Sequence, residues 1–232
     1  MTTIASNLQA VRAAMGASAL AAGRRAEEVE LLAVSKTFAA EAIREACLAG
    51  QRRFAESYVQ EALAKIAALD GLPIEWHYIG PIQSNKTRPI AEHFAWVHSI
   101  DRLKIAERLS SQRPAQLPPL QACIEVNISG ERSKSGVAPD DVGALAHAVA
   151  ALPNLSLRGL MTVPAPTGDA AEQRAAFARL RELRDRLNRQ GLQLDTLSMG
   201  MSHDFTAAIA EGATIVRVGT AIFGARDYGE KQ

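Results

Sequence analysis

Apolar residues along this chain follow two rhythms that alternate. Short runs of apolar and β-branched residues read as strands: ELLAVS (30–35), RRFAE (52–56), EWHYIG (75–80), AWVHSI (95–100), LQACIEVNI (120–128), SLRGLMTV (156–163), LDTLSM (194–199) and ATIVRVG (213–219). Between them lie longer stretches whose apolar positions recur every three or four residues, such as AAEAIREACLAG, DRLKIAERLSSQ, PDDVGALAHAVAAL and DAAEQRAAFARLRELRDRLNRQ. Asp101 and Asp169 stand where N-caps belong, and Gly50 and Gly191 where helices stop. Ile4, Leu8, Val11 and Met15 form one face of an extra helix ahead of the first strand. Strand alternating with helix predicts a parallel sheet. Eight such units predict an α/β fold, a single TIM-type (β/α)8 barrel, with a doubly wound open sheet as the competing arrangement. The proline-rich loops RPAQLPP and TVPAPTGD are short and join consecutive elements, so residues 1–232 are expected to form one domain.

Composition narrows the partners. Lys plus Arg number 26 and Asp plus Glu 25, a net charge of +1, with 47% hydrophobic residues. Neither a basic block nor an acidic tail is present, so a nucleic-acid partner is not expected, although a single phosphate could bind locally. No run is long enough for a membrane span, and the polar residues among Ile4–Met15 argue against a signal peptide. Cys47 and Cys123 sit in a helical and a strand pattern; free thiols in a reducing cytoplasm are expected.

In a parallel barrel, chemistry gathers where strands end. Lys36 follows the first strand, Glu56 and Ser57 the second, and Gln83, Asn85 and Lys86 the third, which carries His77. His98, Asn127, Met161 and Thr162 continue the series, and the last two strands run into SMGMSHDF and VGTAIFG. Loops after strands seven and eight are the usual phosphate site of such barrels. Gly219 and Thr220 follow the eighth strand, and Ser202 is placed to cap the helix DFTAAIAEG, whose amides favour an anion. Asp204 would repel that anion unless it points away. Arg217, inside an apolar strand, is either an internal ion pair or a donor to a ligand. Lys36 is either a solvated strand-end charge or a nucleophilic amine whose pKa burial lowers. An amine, an arginine and phosphate loops together suit a phosphorylated aldehyde, and pyridoxal 5′-phosphate meets that requirement. His77 is a hydrogen-bonded barrel histidine or a proton shuttle. The other histidines lack metal-ligand spacing, the charged face of RLRELRDRLNR reads as solvated, and neither a Ser-His-Asp set nor a Walker loop is recognisable.

The stretches LLAVSKTF, WHYIGPIQSNK, VHSIDR, VNISGERSKSG, LRGLMTVP and LSMGMSHDFTAAIAEGATIVRVGTAIFGARDY, in order from about residue 30 to 228, resemble the pyridoxal-phosphate homeostasis protein family. That family is similar to the N-terminal barrel of alanine racemase and to fold-type III pyridoxal-phosphate proteins. The resemblance implies that Lys36 holds the cofactor as a Schiff base. It places the phosphate against Ser198, Ser202, Gly219 and Thr220, and Arg217 at the pyridine nitrogen. Ser57, His77, Asn127, Met161 and Met199 complete the expected cofactor-binding set. The family usually reads Gly-Glu-Asn-Tyr where this chain reads Ala55-Glu56-Ser57-Tyr58, which puts the asparagine's contact in doubt.

The resemblance implies a binder and distributor of the cofactor, delivering it to apo pyridoxal-phosphate enzymes, without established catalysis. Two points agree. An arginine at the ring nitrogen disfavours its protonation and weakens the ring as an electron sink. The chain also ends at Gln232, soon after strand eight, so the domain that supplies a racemase's second acid-base tyrosine, and its dimer contact, is not expected; a monomer is. The alternatives are a small pyridoxal-phosphate enzyme such as a weak amino-acid racemase, and a cofactor-free Schiff-base aldolase. Arg132 and Lys134, in SGERSKSG, lie on a solvated loop or, for Lys134, on the cofactor's route.

Overall fold

The computed structural model describes residues 3–131 and 135–225. The chain runs α1 (Ile4–Ala21), β1 (Glu30–Val34), α2 (Ala40–Leu48), β2 (Arg53–Glu56), α3 (Val59–Ala68), β3 (Glu75–Tyr78), α4 (Thr87–His93), β4 (Trp96–Ile100), α5 (Leu103–Gln112) and β5 (Leu120–Glu125). It continues through α6 (Val142–Ala150), β6 (Leu155–Met161), α7 (Ala170–Arg189), β7 (Thr196–Ser198), α8 (Phe205–Ala210), β8 (Ile215–Val218) and α9 (Thr220–Phe223). Each strand pairs in parallel with the next, and β8 closes on β1 with Leu32 opposite Arg217. The open-sheet alternative is thereby excluded, and the (β/α)8 barrel expected from the alternating pattern is what forms.

Strand parity divides the hydrophobic residues in two. Leu31, Ala33, Val216 and Val218 join the large core between strands and helices, while Leu32, Val34, Ala55 and Ile215 pack as a separate group with Ile79. That second group occupies the β1–β2–β8 side of the interior. The rest of the interior is polar, with His77, His98 and Ser198 fully buried and Arg217, on β8 itself, nearly so. A barrel interior normally fills with branched aliphatic side chains, so a buried polar half marks a place where something other than packing is being served.

Helix ends explain where prediction and structure part. Thr3 and Ser6 form a reciprocal capping pair at the start of α1, whose Leu8, Val11, Met15 and Ala19 are buried. Asp169 caps α7 through the Ala171 and Glu172 amides. Asp101 does not cap α5: its carboxylate pairs with Arg102, which occupies the cap position without a side-chain bond. Ser202 does not cap α8 either; Asp204 stands there, turned back to accept from the Met201 amide at 2.6 Å. Several strands are shorter than their apolar runs. The fifth ends at Glu125 because Val126 leaves the sheet to bridge Val137, so Asn127 belongs to a loop.

Candidate cofactor-binding site

A cavity of about 300 Å³ opens at the C-terminal mouth of the barrel. Of the side chains expected there, Lys36, Ser57, Met161, Ser202, Arg217, Gly219 and Thr220 line it. Val34, Ile79, Val163, Met201 and His203 complete the wall. Val34, Ile79, Val163 and Met201 carry no chemical signature in sequence, and His203 lacks metal-ligand spacing; only their positions at or just beyond strand ends could have singled them out. A larger cleft, about 650 Å³, opens at the opposite mouth among Glu30, Arg53, Glu75, Arg158 and Asp195. Those groups are spent on one another as ion pairs, and Glu125, Ser198 and the other strand-end groups do not reach it.

Four expected residues lie outside the cavity wall, each for a structural reason. His77 is in the barrel floor, wholly buried. Met199 belongs to the core between strands and helices. Asn127 turns its amide toward the Glu131 carbonyl at 2.8 Å, within its own loop. Ser198 sits beneath Arg217, so its hydroxyl serves the arginine rather than the phosphate loops. Arg132 and Lys134 lie outside the described residues, as does Tyr228.

Arg217 is the electrostatic centre of the site. Its Nη1 donates to the Ser198 carbonyl at 2.6 Å and the Ser198 hydroxyl at 2.9 Å, and Nη2 donates to the Thr162 carbonyl at 2.8 Å. All three acceptors are neutral, so the internal ion pair considered from sequence does not form among the described residues. Burial lowers the guanidinium to about 10, leaving it protonated at neutral pH. Three of its five N–H groups are used, and the others remain for a ligand in the cavity. Glu125, within the arginine's field but not bonded to it, is pushed up to about 7 by burial.

Below Arg217 a hydrogen-bonded chain crosses the barrel. Ser198 Oγ meets His98 Nδ1 at 2.8 Å, His98 Nε2 meets His77 Nδ1 at 2.9 Å, and His77 Nε2 meets Glu75 Oε1 at 3.0 Å. Both ends fix its direction. Arg217 can only donate to Ser198, and the Glu75 carboxylate can only accept. Every bond then points from the guanidinium toward the carboxylate, with both imidazoles neutral and protonated on Nε2. Burial lowers His77 and takes His98 well below its ordinary range, which agrees. Glu75 is held down to about 2, chiefly by the hydrogen bond from His77. His98, a polar strand-end residue in sequence but not in the expected cofactor-binding set, thus proves central.

Lys36 stands half-buried in the turn after β1, and the following residue, Thr37, has φ 71°, the one non-glycine left-handed residue among those described. Such backbone persists only where surrounding contacts enforce it. Across the mouth, Gly200 at φ 91° lets the 199–204 loop turn tightly over α8.

The chain matches the alanine racemase N-terminal domain family over residues 2–227. It is 66% identical to a Pseudomonas aeruginosa pyridoxal phosphate homeostasis protein, across 99% of this chain and 98% of that one. The chain belongs to the pyridoxal phosphate homeostasis protein family. Another member, from Escherichia coli K12, is 53% identical over the full length of both chains. Among solved structures, PipY of Synechococcus elongatus with pyridoxal phosphate bound superposes with a TM-score of 0.85 at 42% identity, covering 96% of this chain and all of that one. An alanine racemase from Clostridium difficile shares the fold alone, with 14% identity and a TM-score of 0.71 over 88% of this chain and 54% of its own. Among the described residues of this family member, no helix is long and apolar enough to cross a membrane.

Proposed function

We propose that this chain binds pyridoxal 5′-phosphate in the C-terminal cavity, through Lys36, and serves the cell's vitamin B6 balance rather than a turnover reaction. The observation that carries this reading is the meeting, in one 300 Å³ cavity, of an amine and a guanidinium with neutral partners. The residues fit the group. Lys36 stands on one wall, Ser202, Gly219 and Thr220 form the loops suited to a phosphate, and Arg217 lies between them. The volume sits at the lower end for small-molecule sites. Bound there, the cofactor supplies an aldehyde carbon for the lysine amine and a conjugated ring.

The protein's own groups favour holding over reacting. Arg217 is already protonated, and the groups directly beneath it are a neutral hydroxyl and neutral imidazoles, so a second positive charge on an adjacent ring nitrogen is disfavoured. Ser198 and Thr162 fix the guanidinium from below. Of the tyrosines, Tyr78 is buried, pushed up to about 12 by desolvation, and donates to the Ser57 carbonyl, so it is not placed as a proton donor to the cavity. The same reading makes the protein a cytoplasmic, one-domain monomer that passes cofactor to apo-enzymes. The names of its relatives support the homeostatic role.

The test is reduction with borohydride after loading, followed by peptide mass analysis. The added mass should fall on the peptide containing Lys36, and Lys36→Ala should lose both the adduct and the visible absorption band while remaining folded. An adduct on Lys86, with Lys36 unmodified, overturns the site. Chiral product formation from D- or L-amino acids at enzymatic rates overturns the homeostatic reading in favour of a racemase.

A further inference from the structure

Lys65 is the one buried lysine among the described residues, and it is not in the cavity. It lies on the inner face of α3, in line with Val59 and Ala62. Its Nζ donates to the Ser35 carbonyl at 2.8 Å, to Glu56 Oε1 at 2.8 Å and to Glu61 Oε1. Ser35 Oγ donates to the same Glu56 oxygen at 2.7 Å, and the Thr37 amide donates to the same Glu61 oxygen at 2.6 Å. Three of these five bonds end on the two residues flanking Lys36, and the other two tie both carboxylates to Lys65. Ser35 is held by its carbonyl and its hydroxyl, and Thr37, the left-handed residue, by its amide.

From this convergence we infer that Lys65, with Glu56 and Glu61, is a positioning device that fixes the turn presenting the Lys36 amine to an aldehyde in the cavity. The inference rests on the reading of Lys36 given above. A left-handed threonine is unfavourable by about 1–3 kcal/mol and relaxes unless it is held. Relaxation of that residue swings the preceding peptide, and with it the lysine stem. The ion cluster lies behind the turn, on the helix side, so it can affect the amine's placement without touching the rest of the cavity. Glu56 Oε1 is shared between Ser35 and Lys65, while Oε2 is buried with no hydrogen-bond partner among the described residues.

The discriminating experiment compares two ligands that differ only at the reacting carbon. Pyridoxal 5′-phosphate can bond to the lysine; pyridoxine 5′-phosphate, an alcohol, binds only without a covalent bond. Two variants are used. Lys65→Met with Glu56→Gln removes the buried ammonium together with its counter-charge. Glu61→Ala releases the Thr37 amide at a half-exposed position where folding is not at stake. In both, the rate of borohydride-trappable adduct formation on Lys36 should fall by about tenfold or more, part of the roughly hundredfold that a ~1 Å misplacement can cost. Affinity for pyridoxine 5′-phosphate should stay within about twofold, far less than the 1.4 kcal/mol of a tenfold change. Adduct formation at the wild-type rate in the folded Glu61→Ala variant overturns the inference. So does an equal loss for both ligands, which would make the cluster general support for the barrel. If wild-type protein traps its adduct elsewhere than Lys36, the earlier reading fails instead.

Discussion

Arg217 and Lys65 are both buried cations near the C-terminal mouth of the barrel, and they are neutralised in opposite ways. Lys65 meets two carboxylates and a carbonyl. Arg217 meets two carbonyls and a hydroxyl, and its link to a carboxylate runs through three neutral side chains before reaching Glu75. The first charge is spent inside the protein. The second is held rigidly without a hydrogen-bonded counter-ion, with Asp204 and Glu125 acting on it only through the field. Arg113 shows that carbonyl partners alone do not make the difference. It too is buried and bonds to the Ala91, Phe94 and Pro118 carbonyls, but the first two lie at the negative end of α4, and the cleft it borders, at the opposite mouth, is lined by the carboxylates of Glu30, Glu75 and Asp195. A buried cation that opens on a cavity without a hydrogen-bonded counter-ion is the one to associate with an anionic or electron-rich ligand.

The sharpest way to break this comparison is to remove each charge in turn. Lys65→Met strands Glu56 and Glu61 and should lower unfolding stability by about 3–5 kcal/mol, read by denaturant titration. Arg217→Met should leave the ligand-free protein as stable as wild type or more so, because desolvation of a guanidinium without a hydrogen-bonded counter-ion is relieved as three acceptors lose a donor. Its cost falls on the ligand: cofactor affinity should drop by roughly tenfold to a hundredfold, a loss of about 1.4–2.8 kcal/mol. If Arg217→Met is the more destabilised of the two, the distinction between spent and available charge is wrong.

How much of this contrast could be read from sequence depends on what each residue sits among. Arg217 was visible because a charge between Val216 and Val218 breaks a strand's apolar run. Lys36 was visible because it follows a buried strand. Lys65 was not singled out, although EALAKIAAL places it in the apolar stripe of a helix; long charged side chains on helices usually reach solvent, so the signal is drowned by its own commonness. The eight strands were legible from period and punctuation. The caps at Asp101 and Ser202 were misread because a local acid or hydroxyl satisfies the pattern whether or not the chain bends to use it. His77 was assigned to the ligand, and Ser198 to its phosphate, because sequence shows which strand a residue ends but not how far below the rim its side chain lies. The chain from Ser198 through His98 and His77 joins residues a hundred positions apart, and only the closed barrel brings them together.

That chain sharpens the comparison through pH. His77 and His98 are both held below their ordinary value of 6.5 by burial, so the folded protein keeps them neutral where the unfolded chain accepts protons. For a base whose folded pKa is depressed, stability is complete above the unfolded value and is lost as pH falls beneath it. As pH falls from about 6.5 toward 5, each histidine therefore removes up to about 1.4 kcal/mol per pH unit, against one contribution of opposite sign from Glu125, whose folded pKa of about 7 lies above its unfolded value, so the protein should weaken by the net of the three. Glu75 does not contribute in that window, because its folded pKa near 2 matters only below its ordinary carboxylate range. Denaturant titrations at several pH values should show a shallower slope for His98→Phe than for wild type. An unchanged slope would mean that His98 takes up a proton in place, which reverses one bond of the chain and ends the argument for its direction.

The smallest effect is expected at Ser57, which borders the cavity but belongs to neither charged arrangement. Its backbone is fixed on two sides: Tyr78 donates to its carbonyl at 3.1 Å, and Gly80 lies so close that a Cβ there would overlap that same carbonyl. A change of side chain at position 57 therefore alters what faces the cavity without moving β2 or the α3 entry. Serine and asparagine both offer a donor and an acceptor, and asparagine reaches further into a space of 300 Å³. Ser57→Asn should bind the cofactor within about tenfold of wild type, less than roughly 1.4 kcal/mol, and trap the same adduct on Lys36. A larger loss, with trapping on Lys36 intact, would show that the cavity wall has been rebuilt around the shorter side chain. Loss of trapping as well would show that position 57 reaches the amine, and that the Lys65 cluster does not set its place alone.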